Sequence, residues 1–466
     1  MKGALGVAGA AAIGTRLAGS SGLAPAVNVG PAPGLLSLPL PTLPDPAGSG
    51  IDHVVVVMME NRSFDHFLGW MPNSVGRQSG LSYLDPKGTA HDTWHANQLN
   101  GCGFADPDHS YDGGRIQYAG GAMDGFLLDP ANDTYAISYY EAADRPFMSQ
   151  MALNFTTCDN YFCSILGPTY PNRFFQHAAA TDRLDNTTTV STLPTIWDQL
   201  NQVGGPTGRY YFSDVPFLAL WGQKYLPIAA HYSQFLADAA AGTLPNVSYI
   251  DPRFEDEGDG TSGDDHPLAD LRAGDSFLSE IFHAVSSGPK WERTVLVVNY
   301  DEWGGFFDHV SPPRVTPGTS AGSPASVVDH DLVAGQVLLG FRVPCMVASP
   351  FTKGDPANPT VAHGLYDHTS VLKLIEWRWG LSPLTRRDAS TAAGDPGNLA
   401  YALNLASPDV VVPSVPALLP FVPGSCAAGT PAVGGTPAPD LGLAGTSSDR
   451  DTWAALRASG LLKGWR

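Results

Sequence analysis

Residues 53–61 read HVVVVMMEN, and the fold can be argued outward from them. From His53 to Met59 the run is apolar and rich in β-branched residues, with neither helical nor alternating period, so both of its faces need cover. It discharges at once into Glu60 and Asn61, two oxygen donors. Three more runs share its character: NVSYI (246–250), TVLVVNY (294–300) and VPCMVAS (343–349). Between them the patterning predicts helices over 171–180, 194–202, 276–286 and 370–379. Doubly covered strands interleaved with helices predict an α/β sandwich around a mainly parallel sheet. Ligands of such sheets gather beyond the carboxyl ends of the strands. Tyr300 is followed by Asp301 and Glu302, and Ile250 by Asp251, so these donors are expected to meet Glu60 and Asn61 although they are far apart in sequence. A convergence of oxygen donors suits a divalent cation. One acidic strand end is an ordinary turn former; two runs that each end in adjacent donors are harder to assign to chance.

The totals agree with a folded globular protein and narrow its partners. Of 466 residues, 43% are hydrophobic and only 15% charged, which is too apolar for a disordered chain. Acidic residues outnumber Lys and Arg by 45 to 26, a formal charge of -19 that opposes binding to nucleic acid. Five cysteines, Cys102, Cys158, Cys163, Cys345 and Cys426, show no metal-ligand spacing; they allow two bridges at most, and Cys345, inside an apolar run, reads as a buried thiol.

Three segments are expected. Over 1–50, Lys2 precedes an apolar stretch from Ala4 to Ile13 and then Pro-, Gly- and Ala-rich sequence, the pattern of an export signal and leader. That stretch is too short to cross a bilayer, which takes about 20 apolar residues. Residues 51–426 form the catalytic domain. Residues 427–466 read as a flexible linker and a short helix, with Trp453, Leu456 and Leu461 on one face to dock on the domain. The polar connections 85–135 and 251–275 are too hydrophilic for core and are expected to serve function or to be disordered.

In LGPTYPNRFFQHAAA a Gly-Pro turn leads to Thr169 and a helix start. The helix N-terminus favours phosphate, and a hydroxyl held there becomes a nucleophile when a cation lowers its pKa. The alternative is a Thr cap with Asn172 and Arg173 at the surface. His109, His266, His309 and His368 each follow an Asp directly and add acid-base capacity. Gly304 and Gly305 permit a sharp turn that carries Asp308 and His309 back toward the strand ends.

The segments DHVVVVMMENRSFDHFLG, LGPTYPNRFFQHAA, DDHP, VVNYDEWGGFFDHVSPP, GFRVPCMVASPF and YDHTSVLKLIEWRWG occur in this order over roughly 51–380. Together they resemble the phosphoesterase family that includes bacterial non-haemolytic phospholipases C, plant non-specific phospholipases C and acid phosphatase A. That resemblance implies an alkaline phosphatase-like three-layer sandwich around a mainly parallel sheet. It implies one divalent cation (Ca, Mg, Mn or Zn) on Glu60, Asn61, Thr169, Asp301 and Glu302. Thr169 stands at the nucleophile position, His109 and His266 match groups that contact the phosphoryl or protonate the leaving group, and His309 belongs to a signature histidine. Trp303 stands where many relatives carry histidine and is expected to shape the pocket instead. The implied activity is phospholipase C on phosphatidylcholine-like lipids with transient membrane contact. Its rivals are an acid phosphatase acting on soluble monoesters, and a surface-binding protein that keeps the fold without turnover. The Ala-rich opening resembles the second half of a twin-arginine signal, though the arginine pair is absent, and an exported, secreted or cell-envelope protein is expected.

Overall fold

The β-branched run His53–Met59 forms strand β1, buried at every position. Because no alternation between polar and apolar residues exists to expose one face, it lies at the middle of the sheet. The computed structural model describes residues 42–319, 329, 331–426 and 452–465. The segments expected to be an export signal, most of a leader and a linker after 426 lie outside them. The other strands of the main sheet are β2 (Thr156–Cys158), β3 (Gly208–Phe212), β4 (Ala229–His231), β5 (Val247–Asp251), β6 (Thr294–Tyr300), β7 (Cys345–Ala348) and β8 (Val361–Ala362). Across the sheet they run β8-β2-β7-β6-β1-β5-β3-β4.

The expected mainly parallel sheet is present, with one correction. Strand β7 is antiparallel to both β6 and β2. A run covered on both faces carries no alternation from which its direction could be read. Strands β2, β3, β4 and β8 are short and carry no long apolar run.

The helices are α1 (Phe64–Leu68), α2 (Tyr111–Tyr118), α3 (Pro146–Asn154), α4 (Thr169–Ala178), α5 (Tyr232–Ala241), α6 (Leu271–Ser286), α7 (His368–Trp379), α8 (Arg386–Ala389) and α9 (Thr452–Ala458). Adjacent residues of β6 point to opposite faces of the sheet. Asn299 bonds Gln176 on α4, whereas the Tyr300 hydroxyl reaches Met148 on α3. Helices α3, α5 and α6 therefore cover one face while α4, α7 and α8 cover the other. The helix expected over 194–202 is only a 3-10 turn, Ile196–Asp198. Asn201 at φ 63° and Gly204 at φ 77° turn the chain out of helical geometry.

The polar connections are not excluded from the interior. His109, Asp264, Asp265 and His266 are fully buried or nearly so, and α2 lies within 85–135. Asp264 enters the interior with one oxygen bonded, its Oδ1 accepting from Ser262 and from the His266 amide. Helix α9 packs on the domain with Trp453 and Leu456 buried, while Leu461 lies beyond the helix end and is half-buried.

Cys102 and Cys426 form a disulfide across 324 residues of sequence, and Cys158, Cys163 and Cys345 are free and buried. The bridge ends a strap whose Leu418 and Phe421 amides bond Ser279 and Ser276 on α6. Cys426→Ser should lower stability by about 2–4 kcal/mol, measured as a fall in denaturation midpoint. Peptide mapping without reductant should show the Cys102–Cys426 pair, and the other three thiols should react only on unfolding.

Candidate active site

Strands β1 and β6 pair in parallel from His53↔Thr294 to Met59↔Tyr300, so Glu60 and Asp301 emerge side by side. The two chain ends are then laced together. Asn61 N–H donates to Asp301 Oδ1 at 3.0 Å, the Glu302 amide donates to the same oxygen at 2.6 Å, and Arg62 N–H donates to Glu302 O at 2.9 Å. Asn61 sits at φ 60°, a left-handed conformation that asparagine tolerates better than most residues. Gly304, at φ 64°, lies against it: a Cβ there would fall 2.0 Å from Asn61 O. No side chain fits at 304.

Thr169 is the first residue of α4, and its hydroxyl donates to Glu60 Oε1 at 3.1 Å with Asn61 Oδ1 at 3.4 Å. Glu60, Asn61, Thr169, Asp301 and Glu302 are all fully buried. Asn172 holds the turn before the helix, bonding the Ile165 amide and the Ile165, Gly167 and Pro168 carbonyls. Arg173 follows Thr169 by one helical turn. Its Nε donates to Asp301 Oδ2 at 3.0 Å, and its other nitrogens stand 3.4 Å from Asp251 and 3.6 Å from Glu60. Asn172 and Arg173 are thus interior groups rather than the surface residues of the cap alternative. The i, i+4 spacing from Thr169 was the available sequence signal for Arg173.

His109 joins this cluster. Its Nε2 faces Asn61 Nδ2 at 3.2 Å and its Nδ1 faces Pro107 O at 2.8 Å, which assigns the proton to Nδ1 and leaves Nε2 to accept. The His266 ring lies 6.1 Å from that of His109, with Nε2 3.5 Å from Asp106 Oδ2. Arg62 clamps the loop that carries His266, donating to Asp265 O at 2.6 Å and His266 O at 3.0 Å. Trp303 is buried, donates to Gln117 at 2.7 Å and packs its ring against Gly114.

His309 is not brought to Thr169. The glycine turn exists, but His309 Nδ1 bonds Asp65, which Arg342 also engages at 2.9 Å, and Arg342 binds Asp308 at 3.0 Å. None of these contacts reaches Glu60, Asn61, Thr169, Asp301 or Glu302. Two buried carboxylates in reach claim the histidine and the arginine for a separate network. His368 likewise serves the scaffold, its Nε2 meeting Tyr300 O at 3.1 Å.

Burial pushes the Glu60 and Glu302 carboxyls well above their ordinary range, with Arg173 pulling Glu60 back and His109 pulling Glu302 back. Burial also raises Asp301 against the pull of Arg173, Asp251 to about 6 and Asp264 to about 7. Glu302 Oε1 and Asp264 Oδ2 are buried with no hydrogen-bond partner among the described residues. Glu60, Glu257 and Asp264 also bring carboxylate oxygens within 4.8 Å of one another. One arginine does not balance so many buried acids. All-oxygen donors, an orphaned carboxylate oxygen and surplus negative charge fit a hard divalent cation, which Glu60, Asn61, Thr169, Asp301 and Glu302 would hold.

Arg173 also sets a pH dependence. It lowers the folded-state pKa of Glu60, Asp301 and Asp251, so removing it raises those values while the unfolded ones stay put. The folded variant then keeps protons that the unfolded chain releases, and stability falls as pH rises from the acid range to neutral. Without added cation, Arg173→Met should lose about 3–5 kcal/mol near neutral pH, and less in acid, as read from thermal melts. An equal deficit at both ends would show a packing loss alone.

A family model described as the phosphoesterase family matches residues 51–211 and 195–382. Phospholipase C B of Mycobacterium tuberculosis is 33% identical over 451 residues, covering 82% of this chain and 81% of that protein. Non-specific phospholipase C1 of Arabidopsis thaliana is 32% identical over 381 residues, covering 73% and 69%. Among solved structures, a protein in the alkaline phosphatase superfamily from Vibrio parahaemolyticus aligns over 72% of this chain and 71% of that one, at 11% identity and a TM-score of 0.32. The motif-bearing core and the relatives that share it agree: the chain belongs to the phosphoesterase family of phosphoric ester hydrolases.

Proposed function

We propose that this protein is a phospholipase C that cleaves phosphatidylcholine-like lipids on the glycerol side of phosphate, with Thr169 as nucleophile. The observation that carries the reading is the Thr169 hydroxyl donating to Glu60 Oε1 beside Asn61 Oδ1 at a helix start, with the Asn61 amide bonded to Asp301. The similarity to phospholipases C of Mycobacterium tuberculosis and Arabidopsis thaliana supports the lipid substrate.

When bound, the divalent cation would neutralise phosphoryl charge and favour the ionised hydroxyl. Glu60 Oε1, already the acceptor for the Thr169 proton, holds that proton's path. Thr169 Oγ attacks phosphorus in line, the bond to the glycerol oxygen breaks, and diacylglycerol leaves after taking a proton. In their protonated forms His109 and His266, set beside the Asn61 end of the site, stabilise the equatorial oxygens and supply that proton. Water then attacks the phosphothreonine diester, releasing the phosphorylated head group and restoring Thr169. His309, tied to Asp65, acts through the scaffold and not on the reacting atoms.

Export is supported by the Cys102–Cys426 bridge, since disulfides persist in oxidising compartments. Among the described residues no helix is long and apolar enough to cross a membrane. Contact with lipid is therefore read as transient and peripheral.

Thr169→Ala should lower turnover on the order of 10³-fold or more while still folding, at a cost of about 1–3 kcal/mol for the buried Glu60 oxygen left without its donor, and acid quenching of the native enzyme should trap phosphate on Thr169. Near-normal turnover by that variant refutes the nucleophile assignment. Turnover of p-nitrophenyl phosphate without release of diacylglycerol from phosphatidylcholine would favour the monoesterase instead. The surface charge adds a second expectation: at -19 the protein is repelled by anionic bilayers, so phosphatidylcholine vesicles should be cleaved faster than phosphatidylserine ones, with salt narrowing the gap. Preference for the anionic vesicles would overturn it.

A further inference from the structure

The catalytic cluster has a neighbour from the far end of the chain. Trp453, on α9, lies 393 residues beyond Glu60 in sequence, and its indole Nε1 donates to Glu60 Oε2 at 3.3 Å. The two oxygens of Glu60 are thereby divided: Oε1 accepts from Thr169, and Oε2 accepts from the indole. Arg173 stands 3.6 Å from Oε2 and directs its nearer hydrogen bonds to Asp301 and the Met59 carbonyl. Among the described residues, Trp453 is the one hydrogen-bond donor to that oxygen.

The indole is itself held in place. It is fully buried, stacks on Phe254 with ring centroids 3.8 Å apart and an interplanar angle of 14°, and lies 5.3 Å from the Tyr170 ring. The Arg173 guanidinium sits 4.7 Å from the Phe254 ring and 5.5 Å from that of Trp453, so a cation covers the same stack. The segment's entry is fixed as well, since Thr452 N–H donates to Glu257 Oε2 at 3.1 Å and Tyr170 OH to Thr452 O at 2.9 Å. Packing alone could be served by a purely apolar residue. A buried indole N–H needs an acceptor, and here the acceptor is the free end of a proposed ligand carboxylate.

We infer that Trp453 is a positioning residue for Glu60: the C-terminal helix completes the cation site by anchoring the outer oxygen of its carboxylate so that the inner one faces Thr169. The inference rests on the reading of Glu60 as a ligand. Hydrogen-bond partners behind a metal ligand fix its orientation, and their loss weakens metal binding by about ten- to a hundredfold.

The test uses full-length protein and Mn²⁺ in equilibrium dialysis, with kcat and KM on phosphatidylcholine measured beside it. Trp453→Phe keeps an aromatic ring on Phe254 and removes the donor. It should weaken Mn²⁺ binding by about ten- to a hundredfold and lower kcat at limiting Mn²⁺ while leaving KM for lipid unchanged. Leu456→Ala, a buried change on the same helix away from Glu60, should lower the denaturation midpoint yet keep native Mn²⁺ affinity. Native affinity and kcat in Trp453→Phe, an equal loss of affinity in Leu456→Ala, or a rise in kcat that marks the indole as a plug would each overturn the inference. Wild-type protein whose Mn²⁺ binding is absent, or indifferent to Glu60→Gln, would remove the cation reading itself and the inference with it.

Discussion

Arg173 reaches carboxylates that follow or end three neighbouring strands: Glu60 after β1, Asp251 at the end of β5 and Asp301 after β6. Parallel pairing forces those acids together, because strands that run the same way release their next residues at the same edge. Brought into the interior they resist ionisation, chiefly because burial strips their water, with repulsion from Asp301 and Asp264 adding to it at Glu60. A single guanidinium on α4 offsets much of this repulsion, and the same helix turn presents Thr169 to Glu60. The nucleophile and its electrostatic counterweight are therefore positioned by one element. A slip of one residue between β1 and β6 would break both arrangements, since it would turn the strand faces over.

Much of this was legible in the sequence for a definite reason. Strands β1 and β6 are long, mostly apolar runs and β5 a shorter one, all buried at every position, and runs of that kind declare both their burial and their ends. The donors placed at those ends could then be named from position, whereas position alone left Thr169 between a nucleophile and a helix cap until the family resemblance was added. What escaped was information that lives between elements. The direction of β7 has no signature in a strand covered on both faces. Asp264 looked like loop because its burial depends on Ser262 and the His266 amide, both of which bond its Oδ1. Trp453 was expected to dock, but its acceptor lies across the whole chain, and no local pattern encodes a contact of that range.

His309 shows how the two signature segments divide their work. The segment after β1 carries Glu60 and Asn61 and then, on α1, Asp65; the segment after β6 carries Asp301 and Glu302 and then Asp308 and His309. The first parts meet at the Thr169 cluster through the Asn61 amide and Asp301. The later parts meet again at Asp65, where His309 and Arg342 bind one carboxylate, while Arg342 also binds Asp308. Two ties at different points along the same pair of segments remove the freedom of either to rotate about the other. Between the ties lies Gly304, whose missing side chain lets its backbone rest on Asn61 O. A buried ion-pair network is a poor source of net stability, since desolvation offsets most of its attraction. Its value here is geometric. By fixing the far end of both segments it holds the near end, where a displacement of an ångström would part Glu60 and Asn61 from the Thr169 hydroxyl.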